Sequence, residues 1–463
     1  MKLSSATELT VGIRTVVPFL LGAMMLAVLS PAASGTELTA TDWLFRIDGR
    51  GSGPIETVVR FEQNGERFSG VTRSGAIDVL RELAPDNSLA DAPGPMWLSV
   101  FFSGSDIRGE LSLRNGSFPF EATFRDDVIE GVIADGFLAG KFTAVPFEGE
   151  LPLRDYKALL SRLDTLVATK IYNPAELETE GWKLFRSKLD RVAETSNDDL
   201  DFLFAIQWAY DKDLFSHFEV KRSAVPVETT IQFFDEMRTG RESARLTFEG
   251  GIAILTVDTM MGLDTIEQID AAYVVIAEKS PKALIIDVRN NSGGAFAVRP
   301  LVSHVLAEPL DAGHFVSNGW WSNNDRLPRV SEVRHMEPWE GWSIIRFWND
   351  VQTAEVLRIR FEPQEPVYDG PVFVVTSRRS ASATELAVDA FRGSGRVTIV
   401  GEKTAGEMLS ASYFDLGEGF IVVLPVADYY STTGGRIEGN GVLPTVEVSS
   451  DLALERAKAL ASE

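Results

Sequence analysis

Apolar and polar positions alternate through residues 37–150, and turn dipeptides interrupt the alternation. VVRFEQNGERFSGV pivots on Asn64-Gly65, LSLRNGSFPFEATF on Asn115-Gly116, and VIEGVIADGFLAGKF on Asp135-Gly136. Asn-Gly and Asp-Gly accept the positive φ angles of tight hairpins, so the pattern predicts three antiparallel hairpins in a small all-β meander sheet or barrel. The segment Leu89–Trp97, LADAPGPMW, reads as a loop. This all-β part is expected to be an accessory domain.

Over 152–220 the period changes to that of a helix. RDYKALLSRLDTLVATK spaces Leu159, Leu160, Leu163, Leu166 and Val167 along one face, and PAELETEGWKLFRSKLDRVAE and DDLDFLFAIQWAY follow. From 245 to 448 apolar runs alternate with helical ones. GIAILTVD, ALIIDV, VFVVT, VTIV and FIVVLP read as buried strands, with TIEQIDAAYVVIAEK and ATELAVDAFRG as helices between them. That alternation predicts an α/β core. An excursion over 300–369 carries five of the nine tryptophans, Trp320, Trp321, Trp339, Trp342 and Trp348. They suit either a second small core or an aromatic groove for a ligand.

Residues 1–34 differ from the rest. Lys2 and Arg14 precede an apolar run of 14 residues, Val16–Leu29, and small residues follow in SPAASG. That is the pattern of a secretory signal peptide, and the run is shorter than the roughly 18–20 residues that span a bilayer. A soluble periplasmic or secreted protein is expected, of bacterial type and without a stable membrane anchor. The absence of cysteine excludes disulfides, thiolate metal sites, a thiol nucleophile and a lipidated cysteine. A net charge of −23 with no basic run argues against nucleic acid as a partner.

Two turns carry candidate chemistry. ALIIDVRNNSGGAF runs from a buried strand into Asn290-Asn291-Ser292-Gly293-Gly294, where glycines let backbone N–H groups face a ligand. TSRRSASATELAVDAF, Thr376–Phe391, offers Ser377, Ser380, Ser382 and Thr384 just ahead of a helix. Together with GEKTAGE and GRIEGNGVLPTVEV, in this order and spacing, these segments resemble the serine peptidase superfamily of tail-specific (C-terminal processing) peptidases, tricorn protease and chlamydial protease-like activity factor. The same superfamily includes interphotoreceptor retinoid-binding protein. The resemblance covers about 245–448.

The resemblance implies a crotonase/Clp-protease-like arrangement of βαβ layers, with Ser382 as nucleophile. A helix N-terminus there favours developing negative charge. The Ala383 N–H with that of Gly293 or Gly294 is expected to form an oxyanion hole, each donor contributing about 3–4 kcal/mol. Ser380 and Thr384 are assigned to capping and turn hydrogen bonds. The Ser–Lys branch of the superfamily places its lysine where this chain has Glu407, and Lys403 falls four residues early. A carboxylate does not replace a desolvated amine, so a histidine and a carboxylate are expected instead. The tricorn position for histidine is Thr256, and the other known position, a loop closing the helical region, holds His217. Glu438 supplies the carboxylate. Of the remaining histidines, His304 reads as packing, and His314 and His335 lie in the Trp-rich excursion.

The expected function is an exported serine endopeptidase that acts on polypeptides through an acyl-enzyme, with no cofactor and no metal. The gap between His217 and the first core strand has no room for a PDZ domain. The competing readings are a non-catalytic protein that binds an apolar ligand or peptide on the same fold, and a serine esterase or amidase of small substrates.

Overall fold

The computed structural model describes residues 42–49, 53–64, 67–83, 95–113, 116–136, 138–152, 154–210 and 214–463. The expected leader over 1–34 lies outside the described residues, as does most of the loop expected at Leu89–Trp97.

Eight antiparallel strands pair in chain order: β1 (Asp42–Gly49), β2 (Gly53–Asn64), β3 (Arg67–Thr72), β4 (Trp97–Ser103), β5 (Asp106–Leu113), β6 (Gly116–Arg125), β7 (Val128–Ile133) and β8 (Gly140–Pro146). β8 returns to β1, so the meander closes into a barrel and leaves no edge strand exposed. The three predicted turns join β2 to β3, β5 to β6 and β7 to β8. Alternate residues fill the interior, where Phe142 lies 5.5 Å from Phe45 and 5.6 Å from Phe120 between ring centroids. One short helix, α1 (Ala76–Leu83), falls within this part and was not foreseen.

Three helices follow: α2 (Tyr156–Lys170), α3 (Glu180–Thr195) and α4 (Asp199–Ala209). Asp155, Thr179 and Asp198 cap them by accepting the N–H of Ala158, Trp182 and Asp201. The run PAELETEGWKLF is broken at Thr179, which ends a 3₁₀ turn at Pro174–Glu178 and caps α3. Buried residues of the barrel and of α2–α4 form one continuous core, which extends to Leu416, Phe420 and Leu424. Residues 38–463 accordingly form one compact unit.

After β9 (Glu219–Arg222) and α5 (Val227–Glu236) come β10 (Ala244–Glu249), β11 (Ile252–Val257), α6 (Leu263–Lys279) and β12 (Ala283–Asp287). The excursion contributes α7 (Val298–Ser303), β13 (Leu310–Ser317), the one-turn α8 (Asn318–Trp321) and α9 (Val330–Val333), α10 (Ile344–Thr353) and β14 (Val356–Phe361). The chain ends with β15 (Val372–Thr376), α11 (Ala383–Ser394), β16 (Val397–Gly401), β17 (Ser410–Gly417), β18 (Phe420–Ser431), β19 (Gly435–Arg436), β20 (Val446–Glu447) and α12 (Ser450–Leu460).

One sheet runs β10-β11-β12-β15-β16-β20, parallel from β11 onward. It is buried on both faces: Leu284, Ile286 and Val374 point into one core, and Ile285, Phe373 and Val375 into another that α12 covers. This explains why its strands read as unbroken apolar runs. FIVVLP does not join it. As part of the 12-residue β18, it lies in a second, antiparallel sheet, β14-β13-β18-β17, and also pairs with β9. A run apolar on both faces signals burial and does not specify which sheet it joins.

Asp201 ties the first half of the unit together. It is fully buried, and its carboxylate accepts the N–H groups of Gly75 (2.9 Å), Ala76 (3.0 Å) and Asn197 (3.1 Å), which joins the start of α1 to α4. Asp201→Ala strands those donors in the interior. It is expected to cost about 3 kcal/mol or more, read as a lower denaturant midpoint at an unchanged slope.

Candidate active site

Parallel pairing sets the geometry. Leu284↔Val372 through Asp287↔Val375 brings the carboxyl ends of β12 and β15 to one edge of the sheet, so the turns that follow them lie side by side. Crevices beyond the carboxyl ends of parallel strands are where α/β sheets hold ligands. Side-chain hydrogen bonds lock the two turns. Ser380 Oγ donates to Val288 O at 2.9 Å, and Ser377 Oγ donates to Arg289 O at 2.5 Å. The Ala381 N–H donates to Asn291 O at 3.2 Å.

These bonds sort the four hydroxyls. Ser377 and Ser380 are buried and committed to the neighbouring turn. Thr384 was expected to act as a cap; its hydroxyl is buried and has no partner among the described residues. Ser382 is half-buried and lines a cavity. It precedes α11 with φ 55° and ψ −125°, a backbone region that a non-glycine residue occupies only when its surroundings impose it. The imposing group is Glu385, which accepts the Ser382 N–H (3.2 Å) and also binds Thr404 Oγ1, Gly406 N and Glu407 N. Burial pushes its carboxyl above the ordinary value, and these four donors oppose the shift.

The glycines are required by close approach. A Cβ on Gly293 would lie 2.7 Å from Ser382 Cβ and 2.7 Å from Ala381 O, and one on Gly294 would lie 2.6 Å from Met261 N. The Gly293 N–H is taken by Asn291 Oδ1 at 2.9 Å, so it does not face the cavity as a donor. The N–H groups of Gly294 and Ala383 have no acceptor among the described residues, and both residues line the cavity with Ser382.

His217 lines the same cavity from the far end of the helical region. Its loop is pinned by its neighbours: Phe215 stacks on Trp182 at 5.6 Å, Phe218 stacks on Tyr210 at 4.8 Å, and Tyr210 Oη donates to Phe215 O. His217 itself has φ 61°, a second strained non-glycine backbone at the cavity. Glu438 does not contact the imidazole. It clamps Ser216, accepting the Ser216 N–H (2.8 Å) and Oγ–H (3.0 Å), and it also accepts the Met408 N–H (2.7 Å). Ser216 Oγ lies 2.7 Å from His217 Nδ1. With Nδ1 protonated, the chain of donors runs from Nδ1–H to Ser216 Oγ and from Oγ–H to Glu438, leaving Nε2 as an acceptor. Burial holds the His217 pKa below its usual value, and the negative charge of Glu407 acts in the opposite direction.

The other candidates lie elsewhere. His304 is buried between Pro366 O (2.9 Å) and Asp270 (3.0 Å). His314 is buried against Tyr430, and His335 bonds Ser331 O on the surface. Lys403 is exposed and Thr256 is half-buried on β11, and neither lines the cavity. The tryptophans divide: Trp339, Trp342 and Trp348 line the cavity, whereas Trp320 packs away from it and donates to Arg326 O.

Residues 251–448 match the model of peptidase family S41. The match is confined to this segment, somewhat under half of the chain. The chain is similar to the chloroplastic C-terminal processing peptidase of Tetradesmus obliquus, at 26% identity over 39% of this chain and 32% of the relative. It is also similar to the carboxy-terminal processing protease CtpB of Bacillus subtilis, at 23% identity over 50% and 39%. The chain thus spans about a third of the length of these curated relatives. Among solved structures, a lipoprotein from Streptococcus agalactiae aligns at 18% identity and a TM-score of 0.46, over 68% of this chain and 98% of that one.

Two residues that position the candidate site escaped the sequence reading. Ser216, in the helical region, was overlooked beside His217 although a hydroxyl next to a candidate base is visible in SHF. Glu385 read as an ordinary helix-start residue, and nothing local marks its grip on the 404–407 loop.

With only four histidines in the chain, the His217 ring is open to direct titration. Proton NMR is expected to give a pKa below the ordinary value of about 6.5. Glu407→Gln removes the one influence that raises it, so the midpoint is expected to move to still lower pH. A midpoint unchanged or raised in the variant contradicts this account.

Proposed function

We propose that the protein is an exported serine endopeptidase that hydrolyses polypeptides through an acyl-enzyme, in keeping with the processing peptidases it resembles. The observation that carries the reading is the convergence on one cavity of Ser382, His217 and two N–H groups without acceptors, with Glu438 linked to the ring through Ser216. A protein that only binds ligand has no use for a strained serine, a polarised imidazole and free donors together.

The shared cavity supports the following roles. Ser382 Oγ attacks the carbonyl carbon while His217 Nε2 takes its proton. The carbonyl oxygen becomes an oxyanion held by the Ala383 and Gly294 N–H groups. The Nδ1–H of the imidazolium is stabilised by Ser216, which Glu438 polarises and fixes. When the C–N bond breaks, the proton passes from Nε2 to the departing amine and the acyl group stays on Ser382. A water molecule then gives its proton to Nε2, attacks the ester, and Ser382 recovers its hydrogen as the acid leaves. No helix among the described residues is long and apolar enough to cross a membrane. The pattern in residues 1–34 supports export.

Ser382→Ala is expected to lower the rate of casein cleavage by about 10⁴-fold or more while leaving the thermal midpoint within a few degrees. Equal cleavage by variant and parent overturns the nucleophile. Ser216→Ala is expected to fall between the parent and His217→Ala. A Ser216→Ala rate equal to the parent's removes the hydroxyl link from the mechanism. Cleavage of small esters with polypeptides left intact would favour the esterase reading.

A further inference from the structure

The cavity beside Ser382 has a volume of about 310 Å³, at the small end of the range for ligand sites. Among the described residues, no Asp, Glu, Lys or Arg lines it. Its aromatic wall comes from two separate stretches of chain. Phe296 follows the glycine turn, two residues after Gly294. Trp339, Trp342 and Phe347 come from the excursion, with ring centroids 5.7, 5.6 and 6.0 Å from Phe296 respectively. The indole N–H of Trp339 is committed to Asp350 at 2.9 Å, away from the cavity, so this wall offers ring faces and edges. Ala383 and Leu386 of α11 continue the lining to Ser382.

This wall is joined through Phe296 and Ala383 to both oxyanion donors. A carbonyl oxygen seated on Gly294 and Ala383 has these aromatic rings in the same cavity, within reach of its carbon substituent. His217, which must reach the departing amine, enters from the helical region instead. We infer that the Phe296–Trp339–Trp342–Phe347 cavity is the specificity pocket for the residue that supplies the scissile carbonyl, and that it selects a large apolar, above all aromatic, side chain. This rests on the peptidase reading. Ring–ring contact and burial favour phenylalanine or leucine over alanine. A carboxylate or ammonium would be desolvated there with no counter-charge.

The test uses quenched-fluorescence peptides identical except for Phe, Leu, Ala or Asp at that residue, with the whole chain as enzyme. The expected result is a kcat/KM for Phe at least about tenfold above Ala and about a hundredfold above Asp. Trp342→Ala is expected to collapse the Phe-to-Ala ratio, a quantity measured within one preparation and insensitive to partial loss of folded protein. A fluorophosphonate that labels the parent and not Ser382→Ala reports on the nucleophile separately. Labelling with a flat side-chain profile overturns the pocket and leaves the peptidase reading standing. If labelling is absent, that reading falls, and binding to the Ser382→Ala protein decides the pocket through tryptophan fluorescence. Phe-terminated peptides held tighter than Ala- or Asp-terminated ones support it, and equal affinities overturn it.

Discussion

The site depends on a missing side chain. Position 293 faces Ser382 so closely that a single added carbon would meet its Cβ and the Ala381 carbonyl at 2.7 Å. That contact forms because β12 and β15 are parallel neighbours whose carboxyl ends lie level, and it determines the rest. With the two turns pressed together, Ser380 can reach Val288 and the Ala381 N–H can reach Asn291. The Ser382 backbone is then held at a φ it would not adopt alone. A larger residue at 293 would push against the Ser382 turn that these bonds hold.

Two buried carboxylates complete the constraint from opposite sides, and they do different work. Glu385 binds only donors of the core, fixing the Ser382 N–H to the 404–407 loop. Glu438 reaches from the core to Ser216, in the loop that carries His217. The first holds the serine's backbone; the second anchors the loop that carries His217. Because His217 is carried by the loop that the aromatic cluster of α3 and α4 pins, the candidate site forms only when the helical region has docked. β9 secures that docking by adding four residues to β18. Folding of the first half is thereby coupled to the chemistry of the second.

Much of the fold was legible because local and global signals agreed. Asn-Gly and Asp-Gly turns in alternating sequence gave the hairpins, and doubly apolar runs gave the parallel strands. The closure of the barrel, the helix α1 and the placement of β18 in a second sheet were not legible, because long-range pairing determines them. The site divides in the same way. Ser382 and the glycine turn carry their signal within a few residues. Ser216 and Glu385 act through contacts 222 and 19–22 residues away, which no local window contains. The tryptophans illustrate the limit: composition marked five as a group, and only the fold separates Trp339, Trp342 and Trp348 at the cavity from Trp320.

Glu407 bears on the proposal that His217 is the base. At this position an amine could serve as base only if neutral, and losing its proton requires desolvation. Here residue 407 is exposed, its backbone is tied to Glu385, and its side chain is an acid. An exposed carboxylate cannot act as the base. It can modulate one, because its charge favours the imidazolium that forms when Ser382 loses its proton. Burial of His217 opposes that charge and favours the neutral ring. The acid that leaves this position without a lysine thus favours the protonated form of His217.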